Sequence, residues 1–89
     1  MMVKLEDIIS SRGKLKILKV LFRRGQANIT LIVRETGLHH RLVSKHIEEL
    51  KTANIVGERR YGRLRIIYIN YGEPKARILR DIVKTLDIS

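Results

Sequence analysis

Residues Thr30 to Leu50 read TLIVRETGLHHRLVSKHIEEL, and the fold turns on this stretch. Ile32 and Val33 give a first short helix its inward side, with Thr30 placed to cap its start. Gly37 supplies the positive φ that ends it, and Leu38 anchors the turn. A second helix then runs from about His40 to Ala53. Spacing its residues at ~100° puts Val43, Ile47, Leu50 and Asn54 on one side. Arg41, Ser44, Lys45 and Glu48 gather on another side, largely opposite the apolar stripe.

Downstream, Ile55 to Arg59 and Leu64 to Tyr71 carry the β-branched and aromatic residues of two strands. Arg60-Tyr61-Gly62 suits a three-residue connection with Gly62 in the left-handed position of a G1 bulge. Arg59, Arg60, Arg63 and Arg65 concentrate positive charge near the tip of this ribbon. Ile66-Ile67-Tyr68-Ile69 does not alternate cleanly, which predicts that both faces of the second strand are covered. The last segment is expected to supply one of those covers. Pro74 suits the first position of a helix, with Glu73 just before it, and Ile78, Leu79, Ile82, Val83 and Leu86 form a long apolar stripe.

Upstream, Leu5, Ile8 and Ile9 predict a short amphipathic turn, and Ser10-Ser11 a capped helix start. Leu15, Leu18, Leu21 and Phe22, widened by Ile17 and Val20, predict a helix from Arg12 to Arg24 that Gly25 closes.

Eighty-nine residues with 44% apolar content make one small folded domain. No apolar run is long enough to span a bilayer, and no export signal stands out. A cytoplasmic, nucleoid-associated location is the expectation. The formal net charge is +10, and such an excess points to a polyanionic partner. The absence of cysteine excludes disulfides and thiolate metal sites. The many Ile, Arg and Lys beside a single Gln fit a heat-adapted source.

A short helix, a glycine-marked turn and a second helix with a cationic outer face form a helix-turn-helix, which presents its second helix to the DNA major groove. The basic hairpin that follows adds a wing. On the RETGL turn (Arg34 to Leu38), the VSKHIEEL run (Val43 to Leu50) and the IVGERRYGRLRIIYI segment (Ile55 to Ile69), the chain resembles the winged helix-turn-helix transcription regulators. It looks most like small archaeal members related to the ArsR and MarR repressor families. The resemblance spans roughly Gly13 to Tyr71. It implies an α+β fold with a two-stranded wing and a C-terminal dimerisation helix. A DNA-binding domain would then occupy residues 1–72 and the pairing helix residues 73–89. It implies also that the helix at about 40–53 enters the major groove, while the wing, 55–71, lies on the backbone or minor groove. His39, His40, Arg41, Ser44 and Lys45 fall on the groove-facing positions, and Arg59, Arg60 and Arg63 on the wing. Leu42, Val33 and Leu31 depart from the usual pattern: Leu42 could touch a thymine methyl group or pack internally, Val33 stands where a small alanine is usual, and Leu31 hints at contact with another element.

The expected partner is double-stranded DNA, read in a sequence-specific way by a homodimer. The dimer interface is expected at Leu5, Ile8, Ile9, Ile78, Leu79, Ile82, Val83 and Leu86, because an apolar patch of this size is uncommon on monomers. The alternative is a sequence-indifferent basic architectural protein of chromatin, and a third class is a winged helix used for protein or RNA contacts. His39, His40 and His46 lack the neighbouring ligands of a metal site, so no metal, cofactor or small-molecule ligand is expected. No paired carboxylates, nucleophile–base pair or phosphate-binding glycine loop suggests an enzyme.

Overall fold

A computed structural model describes residues 3–86. The elements run α1 (Leu5–Ile9), α2 (Arg12–Arg24), β1 (Gln26–Asn28), α3 (Ile29–Thr36), α4 (His40–Thr52), β2 (Val56–Tyr61), β3 (Leu64–Ile69) and α5 (Pro74–Thr85). The architecture is α+β, a helical bundle with a small antiparallel sheet as its wing.

Helix α2 is the hub. Ser11 caps it by accepting a hydrogen bond from the Lys14 N–H at 3.2 Å. Its apolar period buries Leu15, Ile17, Leu18, Val20 and Leu21, and α1, α3, α4 and α5 all pack on it. Burying one such side chain contributes about 1.5–3 kcal/mol, so this single cluster dominates the stability of the molecule. Ile32 of α3, Val43, Ile47 and Leu50 of α4, and Leu79 of α5 are fully enclosed in it.

Helix α3 begins earlier than expected. Asn28, not Thr30, is its cap, accepting from the Leu31 N–H at 2.8 Å. Asn28 closes a strand and so already has the extended backbone that a capping residue needs. Thr30 lies exposed in the first turn instead. Gly37 ends the helix with φ +72°, as its position in the turn requires.

Strand β1 was not legible in the sequence. It is three residues long and pairs with β3, giving the strand order β1-β3-β2. β3 is therefore the central strand. Ile67 and Ile69 face the helices, whereas Ile66 and Tyr68 on the other side are only half-buried. The last helix does not provide the outer cover predicted for this strand. It packs on α2 and sends Ala76, Leu79 and Val83 into the common core. The hairpin also differs. Tyr61 pairs with Leu64, which leaves a two-residue connection, Gly62-Arg63, with Gly62 at φ +61°. A glycine opening a two-residue loop suits the primed turns that match strand twist.

Candidate nucleic-acid interface

Helix α4 is fixed on its inner side and bare on its outer side. His39 caps it, the imidazole Nδ1 accepting from the Arg41 N–H at 3.1 Å. Val43, Ile47 and Leu50 are fully enclosed. The buried Lys14 of α2 reaches Glu49 at 3.2 Å, an ion pair that locks the two helices in register. His46 faces the start of α2, where a Cβ on Gly13 would come within 2.7 Å of its Nε2. Glycine at that position is thus what lets α4 sit so close. Burial holds the His46 pKa below its ordinary value, and the Lys14 charge adds to the effect.

His40, Arg41, Leu42 and Lys45 are exposed and Ser44 is half-buried. Among the described residues, the side chains of His40, Arg41, Ser44 and Lys45 have no hydrogen-bond or ion-pair partner. A rigid helix thus presents imidazole, guanidinium, hydroxyl and ammonium groups with nothing of its own to bind. Leu42, 39% exposed, points outward with them.

The wing divides its arginines between two faces. Alternation places Glu58, Arg60 and Arg65 on the side toward α4, and Arg59, Tyr61, Leu64, Ile66 and Tyr68 on the other. Arg60 and Arg65 are paired directly across the ladder, a like-charge contact that would be unfavourable by itself. Glu58, with a side chain only 6% exposed, resolves it. Arg65 donates to both Glu58 carboxylate oxygens at 2.9 Å, Arg60 to Oε2 at 2.9 Å, and Lys51 of α4 to Oε1 at 3.1 Å. Arg65 also reaches Glu48 of α4 at 3.4 Å. These cations, Arg65 first and then Lys51, hold the Glu58 pKa at about 2 against the opposing effect of burial. The network spans α4, β2 and β3 and sets the angle between helix and wing.

On the other face Arg59 lies over the Tyr68 ring, 4.8 Å from its centroid. Tyr68 can lie there because Gly57 opposes it: a Cβ at Gly57 would fall 2.3 Å from the ring. Arg63, in the connecting loop, is exposed and unpaired among the described residues. The single arginine cluster suggested by the sequence is therefore three groups. Arg60 and Arg65 brace the wing, Arg59 stacks on a ring, and Arg63 stands free.

Asn28, Ile29, Thr30, His40, Arg63, Leu64 and Arg65 line one cleft. It brings the starts of α3 and α4 to the same side of the molecule as the wing tip. His40 and Arg63 share this cleft, and Arg41, Ser44 and Lys45 continue along the bare side of α4. Arg59 is the outlier, on the far face of the wing. The roles of Glu58 and Gly57 escaped the sequence reading, and Thr30 entered it only as a helix cap. A single carboxylate among four arginines was the one available signal for Glu58.

Of the residues expected at a dimer interface, Ile8, Leu79 and Val83 belong to the core of the single chain. They are corrected to interior positions, because a five-residue helix and the inner side of α5 must both close over α2. Ile9, Ile78 and Leu86 are exposed, at 36%, 47% and 43%, and Leu5 and Ile82 are half-buried. Positions 87–89 of the expected pairing helix lie outside the described residues. Among the described residues, no group of three or more His, Asp or Glu could hold a metal ion, and no helix is long and apolar enough to cross a membrane.

No protein-family profile matches this chain, and no curated protein matches it in sequence. Solved structures do match. The transcriptional repressor PagR of Bacillus anthracis superimposes with a TM-score of 0.73 at 25% identity, over 93% of this chain and 88% of PagR. The repressor BigR from Xylella fastidiosa gives 0.78 at 15% identity, over 96% of this chain and 85% of BigR. An ArsR family transcriptional regulator gives 0.68 at 17% identity, over 91% and 79%. The fold is that of the ArsR/MarR-like winged helix-turn-helix regulators.

Proposed function

We propose that this chain is a homodimeric transcriptional regulator that binds double-stranded DNA in a sequence-specific way. α4 would enter the major groove, and the wing would follow the adjacent backbone or minor groove. Arg41 is assigned the bidentate contact to guanine, worth about 1–3 kcal/mol of discrimination against a wrong base. Lys45, Ser44, His39 and His40 are assigned to nearby base edges and phosphates. Arg63, and with it Arg59 and Arg60, neutralises phosphate charge, which gives affinity without direct sequence information.

The observation that carries this reading is the unpartnered cationic side of α4, held by the Glu58 network on the side of the wing. The net charge of +10 fits a polyanionic partner. The likeness to PagR, itself a transcriptional repressor, agrees with the reading. Pairing of two copies would use the outer side of α5 (Ile78, Ile82 and Leu86), joined by Leu5 and Ile9. It would set two copies of α4 about 34 Å apart, one turn of DNA.

Competition binding tests the proposal. The purified protein is bound to the DNA upstream of its own gene, with nonspecific competitor present. Retention on that DNA over a scrambled sequence of equal length supports it. Equal affinity for both would instead favour a sequence-indifferent architectural protein.

A further inference from the structure

The wing ends in an apolar pair that the chain itself leaves uncovered. Tyr61 and Leu64 oppose each other at the last rung of the ladder, on either side of the Gly62-Arg63 loop. They are 63% and 46% exposed. A hairpin edge needs only charge to stay free of unwanted pairing, and Arg59, Arg60 and Arg63 already supply it. Two large apolar side chains this exposed at the extreme tip add hydration cost. The pair lies on the face of the wing turned away from α4, at its very tip, where Leu64 also borders the cleft shared by His40 and Arg63.

We propose that Tyr61 and Leu64 form a wedge that enters a minor groove beside the binding site, partly unstacks one base step and kinks the duplex. The inference rests on the DNA-binding reading above and adds a mechanical action to it. The surroundings of the pair select this partner. An apolar patch of two side chains, with Arg63 in the adjoining loop and Arg59 on the same face, offers little to a protein surface. A base step, apolar on its stacked faces and bordered by phosphates, complements it in both respects. Apolar side chains driven between base pairs from the minor groove kink DNA by roughly 20–90°. The least resistant steps are pyrimidine–purine ones such as TA and CA/TG. The wedge would therefore impose a preference at positions that α4 never touches.

The test uses the full chain and short duplexes from the DNA upstream of its gene, with 2-aminopurine placed at successive steps and a fluorophore pair at the ends. Binding of the natural chain should raise 2-aminopurine fluorescence several-fold at one step beside each α4 site and bring the duplex ends closer together. The double variant Tyr61→Thr, Leu64→Thr keeps strand-forming side chains. It should bind with an unchanged salt slope but return both signals to those of free duplex. Arg63→Ala should weaken binding yet keep the unstacking signal in the saturated complex. Binding by the natural chain without unstacking, or a double variant that bends DNA as well as the natural chain does, would overturn the wedge alone. Failure of the natural chain to bind any duplex would overturn the DNA reading, and the wedge with it.

Discussion

Arg41 and Lys45 share a helix with Val43 and Ile47 but point the other way, and that division gives each side chain a distinct expected effect. Arg41→Ala should cost about 1–3 kcal/mol at one base position and relax preference there. Binding to duplexes varied one base at a time reads this out. Arg63→Ala should instead weaken binding to all sequences evenly and reduce the log-log salt slope by about one. Exposure on α4 was legible from helical spacing alone, because Val43, Ile47 and Leu50 repeat with the helix period. The fates of the wing arginines were not. Arg65 meets Glu48 from 17 positions away, and no local pattern encodes a partner brought near by the fold. Gly57 was equally silent, since only the register against Tyr68 shows its purpose. Gly57→Ala should displace Tyr68 and Arg59, lowering stability by about 1–3 kcal/mol in urea unfolding.

The brace between α4 and the wing makes a separate prediction. Glu58→Gln removes the charge that reconciles Arg60 with Arg65 and should destabilise the chain by about 1–3 kcal/mol. It should also loosen the wing, seen as faster amide exchange along β2 and β3. Because the Glu58 pKa is lowered from 4.5 to about 2, the folded chain holds that proton less well than the unfolded one. Its contribution is complete above pH 4.5 and is lost as pH falls toward 2. His46 acts in the same direction at milder pH. Burial lowers its pKa from 6.5, so its contribution is full above 6.5 and declines as pH drops below that value. Urea unfolding of His46→Gln and Glu58→Gln across this range should flatten the first and second acid-sensitive windows respectively. Helices α2, α4 and α5 were readable from periodicity and terminal residues, and the hairpin from its two strands, but its turn was not: Tyr61 pairs with Leu64 and leaves a two-residue loop. β1 was not, because three residues carry too little pattern, and it exists by virtue of pairing with β3.

The assembled chain leaves Ile9, Ile78 and Leu86 on its surface while burying their neighbours Ile8, Leu79 and Val83. The apolar stripe read from the sequence therefore serves the core first, and only its outer edge is available to a second copy. Ile78→Glu should shift sedimentation from dimer to monomer without loss of helical signal. It should weaken binding to a two-fold site far more than to a single half-site. Dispersed positive charge could hold DNA without reading it, whereas the proposed regulator reads bases with α4 while its wing touches the flanking backbone of the same duplex. Combined dimethyl sulfate and hydroxyl-radical protection on the DNA upstream of its own gene tests that claim most directly. Guanine N7 protection is expected in the major groove at two positions one helical turn apart, each flanked by a protected stretch of backbone. Backbone protection spread evenly along the DNA, with every guanine N7 still reactive, would contradict it.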